Sequence, residues 1–125
     1  MSTDFSKYLT YQKKNYTEIY VQLQNRYYDA GWIEYILPRL ETQCDSPRSY
    51  GTGLESMKAV QKFWSNKRLR TNYLQLIKVL NEYTNKEYNT VISERGRYKI
   101  KQSVELFLPY DDTSLLQSFL AAKYA

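Results

Sequence analysis

At 125 residues and 15.0 kDa, with 42% apolar residues, the chain is long enough to bury one core and too short for two. Eighteen basic against thirteen acidic residues give +5 and a pI near 9.2, a balance that favours an anionic partner such as nucleic acid, a nucleotide or an acidic protein surface. There is no histidine and one cysteine, Cys44, which rules out an internal disulfide and argues against zinc sites and Ser-His or Cys-His nucleophiles.

The first ten residues lack the apolar core of a secretion signal, and no run reaches the roughly 18 apolar residues of a membrane span. The protein is expected to be cytoplasmic and without membrane contact. The 14 tyrosines imply a core whose phenol hydroxyls sit at its rim or pair inside it.

Phe5, Tyr8, Leu9, Tyr16, Ile19, Tyr20, Leu23 and Tyr27 recur at helical spacing. A gap at Gln12 to Asn15 is where two helices could meet, Thr3 or Asp4 is the expected N-cap, and Gly31 is placed to terminate the segment in a left-handed cap. Trp32 to Leu40, interrupted by Pro38, reads as a short helix or an irregular, buried segment. Glu41 to Tyr50 reads as a loop, and Thr52-Gly53-Leu54-Glu55 has the form of a capping box ahead of Met57, Val60, Phe63 and Trp64. A further amphipathic helix spans Lys67 to Tyr83, and Asn85 to Asn89 is polar and breaks it. Tyr98, Ile100, Val104 and Phe107 favour helix over strand, and Asp111-Asp112-Thr113 caps a last helix bearing Leu115, Leu116, Phe119 and Leu120. The expected fold is all-α: a single domain over residues 1–125, a compact irregular bundle of six or seven helices.

Two basic clusters stand out, Lys67, Arg68 and Arg70, then Arg95, Arg97, Lys99 and Lys101. Interleaved with aromatics, such residues bind nucleic-acid backbones, although Glu87, Glu94 and Glu105 lie among the second cluster. No zinc-finger, Walker or dinucleotide glycine pattern is present. Glu34, Glu41 and Glu55 are candidate acid-base groups whose commoner state on helices is solvated surface. Cys44 beside Asp45 is not set up as a thiolate.

The order Tyr11-Gln12, Tyr16, Trp32, Tyr35, Pro38, Ser49-Tyr50, Lys99, Ser103 and Leu106-Phe107 resembles a bacterial, fungal and plant family of unknown function often labelled "calpastatin". Its members carry HWMWFIFPQL and KLRSSMTLF-type stretches where this chain has GWIEYILPRL and YKIKQSVELF. The resemblance covers roughly residues 5 to 124. It implies a small all-helical protein and a link to ADP-ribose-related enzymes that include N-glycosidases. The chain departs from the pattern at Gly31, where the family has histidine, at Glu34, where it has tryptophan, and at Arg39, where it has glutamine. Arg39 suits a phosphate, which a guanidinium holds bidentately.

The resulting expectation is a non-enzymatic binding protein without catalytic residues, metal or cofactor. Trp32, Tyr35 and Tyr50 would enclose a base or sugar, Arg39, Arg48 and Lys99 would hold phosphates, and Gln12, Ser49 and Ser103 would complete the site. The small, Lys- and Tyr-rich character looks like a phage protein, and sequestration of an ADP-ribose-type or cyclic-nucleotide immune signal would make it an anti-defence protein. Two alternatives stand beside this: an inhibitor of a host nucleic-acid-binding complex, acting through the basic helices, and a surviving N-glycosidase using Glu34, Glu41 or Glu55. Oligomeric state is left open.

Overall fold

The structure, a computed structural model, describes residues 5–44 and 52–125. Among them are seven α-helices and no strand: α1 Ser6–Gln24, α2 Ile33–Ile36, α3 Met57–Ser65, α4 Lys67–Glu82, α5 Asn85–Val91, α6 Glu94–Phe107 and α7 Leu115–Lys123, with short 3-10 turns at Ala30–Trp32, Glu41–Gln43 and Leu108–Tyr110. The all-α bundle expected from the periodicities is what forms.

The central element is α4, in contact with α1, α2, α3 and α7. Its stripe of Leu69, Tyr73, Leu76, Ile77 and Leu80 is fully buried, the spacing that turns one helix face into the core. Around it, Phe107 of α6 packs against Phe63 and Trp64 of α3 and Tyr73 of α4, with ring centroids 5.4, 5.1 and 5.0 Å away. A second cluster joins Tyr88 of α5 to Phe119 of α7 edge-on at 5.7 Å. The buried tyrosines find partners inside: Tyr73 shares a 2.8 Å hydrogen bond with Ser103, Tyr8 donates to the Thr52 carbonyl, and Tyr83 to that of Leu23. Such pairing offsets the cost of burying a hydroxyl.

Several local expectations are corrected. The polar gap at Gln12–Asn15 does not divide α1, because Gln12 is itself buried and hydrogen-bonded (see below). The helix ends at Gln24, before Gly31: Arg26 takes the left-handed conformation (φ 61°), and Tyr27 N–H donates to Gln22 O at 2.9 Å. That strained arginine is held by its guanidinium over the Tyr83 ring at 4.3 Å and by Glu87 at 3.2 Å.

Thr52 to Glu55 does not open a helix. Leu54 N–H donates to Arg39 O and Leu54 O accepts from Glu41 N–H, both at 2.8 Å, forming a parallel bridge to Leu40. Ser56 caps α3 instead, accepting from Ala59 N–H at 3.2 Å. Helix α4 does end at Glu82, as expected, but the polar stretch after it is itself helical, α5, because Thr84 and Glu87 form a reciprocal capping box at 3.1 and 2.8 Å. The expected cap of the last helix holds: Asp111 accepts from Leu116 N–H at 3.0 Å and Thr113 from Leu115 N–H at 3.2 Å. Thr3 and Asp4, the expected caps of α1, lie outside the described residues.

Candidate functional site

The stop imposed by Pro38 leaves α2 a single turn, and the chain then runs back as an extended segment. This places Glu34 and Arg39, one on each side of Pro38, against α6, where Lys99 and Ser103 lie one turn apart on the buried stripe of Ile100, Val104 and Phe107.

Lys99 Nζ donates to Glu34 Oε1 at 2.8 Å. Arg39 Nη1 donates to Gln102 Oε1 at 2.8 Å and to Gln43 O at 3.0 Å. Its Nη2 stands 3.9 Å from Glu34 Oε1 and, although buried, makes no hydrogen bond to a described residue. Arg39, Lys99 and Glu34 are 2%, 6% and 4% exposed, so two cations share one carboxylate out of solvent. A buried guanidinium with an unused donor is costly unless an anion completes it.

The backbone under Arg39 is fixed. The Leu40–Leu54 bridge holds the two ends that flank residues 45–51 side by side, and Glu41 Oε2 accepts from Gly53 N–H at 2.9 Å. Gly53 is required by the close approach: a Cβ there would stand 2.5 Å from Glu41 Cα.

Of the residues expected to form the site, the structure brings Arg39 and Lys99 together. Ser103 is buried against Tyr73. Gln12 is buried as a tie between helices, its Nε2 donating to Tyr35 O and its Oε1 accepting from Asn72, each at 2.8 Å. Trp32 is a core residue, edge-on to Tyr28 at 6.0 Å. Tyr35 lies flat on Tyr11, centroids 4.1 Å apart and planes at 11°. Trp32 and Tyr35 line two neighbouring clefts that share Tyr11 and Asn15, and Arg39 is not among the described lining residues of either. Arg48, Ser49 and Tyr50 lie outside the described residues.

Glu34 is corrected from solvated surface to buried counter-ion, and Gln102 was missed. For Glu34, though not for Gln102, a signal of burial was present. Glu34 stands among Ile33, Ile36 and Leu37, and Lys99 shares a helix stripe with Ile100, Ser103 and Phe107; a glutamate and a lysine each set into an apolar stripe forecast each other. Glu55 is exposed, and Glu41 is engaged by the Gly53 amide. Among the described residues, no three His, Cys, Asp or Glu side chains are grouped to hold a metal ion, and no helix is long and apolar enough to cross a membrane.

The fold is similar to that of the conserved hypothetical protein Rv1873 from Mycobacterium tuberculosis, with a TM-score of 0.88 at 18% identity over 98% of this chain and 88% of that one. No curated protein matches the chain. The chain belongs to the DUF1810 family, described as a protein of unknown function, whose family model matches residues 2–125.

Proposed function

We propose that the protein binds and sequesters an anionic, nucleotide-derived small molecule through a phosphate held at Arg39. The supporting observation is the buried Nη2 of Arg39, which makes no hydrogen bond to a described residue in a cluster where Arg39 and Lys99 share one carboxylate. A phosphate oxygen supplies the missing acceptor and the missing charge together. Lys99 and Gln102 hold the carboxylate and the guanidinium in place, so the donor is preorganised. Ligands of the ADP-ribose or cyclic-nucleotide type fit this chemistry. If such a ligand is an immune signal, sequestration makes the protein an anti-defence factor of viral origin. Sequestration is favoured over N-glycosidase chemistry because Glu34, the best-placed carboxylate, is engaged by Lys99. The basic start of α4, where exposed Lys67 and Arg68 line a cleft of about 410 Å³, supports the alternative of a protein that blocks a nucleic-acid-binding complex.

Calorimetry with ADP-ribose and with cyclic dinucleotides tests the proposal. Binding without any change in ligand mass is expected, weakened about thirtyfold in Arg39→Ala, the loss of one charge-assisted hydrogen bond of about 2 kcal/mol. Arg39→Lys keeps the charge without the fork and is expected to fall between the two. If none of these ligands binds, or Arg39→Ala binds as the parent does while keeping its helicity, the proposal is wrong.

A further inference from the structure

We infer that Tyr98 is the base platform of the Arg39 site, so that the recognised unit of the ligand is a nucleoside monophosphate, with its phosphate on the guanidinium and its base on the Tyr98 ring. This rests on the reading of Arg39 as an anion donor and adds to it the uncharged half of the ligand.

Helix α6 presents two adjacent rows beside Arg39. Lys99 and Ser103, four residues apart, are buried, whereas Tyr98 and Gln102, also four apart, lie one residue further round the helix toward solvent. Gln102 uses both ends of its amide: Oε1 accepts from Arg39 Nη1 at 2.8 Å, and Nε2 donates to Tyr98 OH at 3.1 Å. A guanidinium can only donate, so Arg39 fixes which way the amide points, and the amide in turn fixes the phenol as its acceptor. One amide therefore joins an arginine that is 2% exposed to a tyrosine that is 57% exposed. The phenol oxygen lies at most about 8 Å from the guanidinium, two hydrogen bonds and the width of the amide.

Three features give the ring its role. Large apolar side chains that stay exposed are few among the described residues, and of Val21, Tyr27, Met57 and Tyr98 it is Tyr98 that is linked to Arg39 by hydrogen bonds. Its hydroxyl is anchored at Gln102, which restrains the ring before any ligand arrives and lowers the ordering cost of stacking. A tyrosine face accepts any base, because every base has a π-face. The orientation follows from charge. Around Tyr98 along α6 stand Glu94, Arg95 and Lys101, a mixed set that gives a phosphate no fixed place, whereas the buried Nη2 of Arg39 lacks an acceptor. The anion belongs at Arg39 and the neutral ring at Tyr98. A gap of one amide is bridged by the single ribose that separates a base from the phosphate it carries, so one nucleotide reaches both points without a second phosphate or sugar.

Calorimetry of the full chain with adenosine monophosphate and with ribose 5-phosphate, the same phosphate and sugar with and without a base, tests the inference. Adenosine monophosphate is expected to bind at least about tenfold more tightly, the worth of one base stack. Tyr98→Ala, at an exposed position, is expected to abolish that preference with helicity intact and to leave the affinity for ribose 5-phosphate as it was. Tyr98→Phe keeps the ring and is expected to keep the preference. Equal binding of the two ligands by the parent, weakened for both in Arg39→Ala, would overturn the base platform while the anion site at Arg39 stands. Weakening of both ligands by the same factor in Tyr98→Ala would also overturn it, since the ring would then act only by holding Gln102. If neither ligand binds, the reading of Arg39 falls and this inference falls with it.

Discussion

Above pH 10 the protein is expected to unfold over a narrow interval, and the cause is its buried tyrosines. Tyr8, Tyr73, Tyr83 and Tyr88 are each at most 2% exposed. Burial pushes the hydroxyls of Tyr8, Tyr73 and Tyr88 well above the ordinary tyrosine value. It pushes Tyr83 up to about 12 even though the neighbouring Arg26 pulls the other way. In the unfolded chain these groups ionise near pH 10. Below that pH both states keep the proton and the contribution is fully present. Above it the unfolded state loses protons first, so stability falls as pH rises toward the folded-state values. Each such tyrosine removes about 1.4 kcal/mol per pH unit, about 5 kcal/mol for the four together. Total stabilities of about 5–15 kcal/mol then vanish within about one to three pH units. Circular dichroism against pH, with tyrosinate absorbance followed on the same sample, is expected to show helix loss and ionisation in one step. Tyrosines that titrate near pH 10 while the helices persist would contradict this account of the core.

Glu34→Ala is expected to be among the most destabilising substitutions in the chain, by about 3–5 kcal/mol, because it leaves Lys99 and Arg39 buried without a carboxylate. Removing the closer cation as well, Glu34→Leu with Lys99→Met, is expected to recover part of that loss, since Arg39, still bonded to Gln102 and the Gln43 carbonyl, is then the one cation left without the carboxylate. Urea denaturation of the single and double variants measures the difference. Small and additive losses would mean that the cluster is solvated, and the argument for an anion at Arg39 would lose its basis.

The helices that could be read from the sequence are those whose burial follows one period over several turns. Leu69, Tyr73, Leu76 and Leu80 announce α4 directly, and Ile100, Val104 and Phe107 announce α6. What could not be read is fixed by contacts distant in sequence. Leu54 looks like the first residue of a helix until Arg39 and Glu41 take its backbone groups. Gly31 looks like a cap, but Tyr83 and Glu87 stabilise the left-handed turn at Arg26 instead. The same limit governs the site. Arg39 and Lys99 can be chosen by residue type, whereas the role of Glu34 depends on α2 meeting α6, which local pattern does not specify. The stacking of Tyr11 on Tyr35 is likewise a contact between residues distant in sequence, which no local pattern specifies.

The proposed capture of a phosphate by the buried Arg39 Nη2 is read by following the side-chain nitrogen resonances of Arg39 by NMR during titration with ADP-ribose. A saturable shift of the Arg39 Nη signals that is absent when ribose alone is added is the predicted result, because the phosphate supplies the acceptor that Nη2 lacks. Unchanged Arg39 signals at saturating ADP-ribose and at saturating cyclic dinucleotide would contradict it.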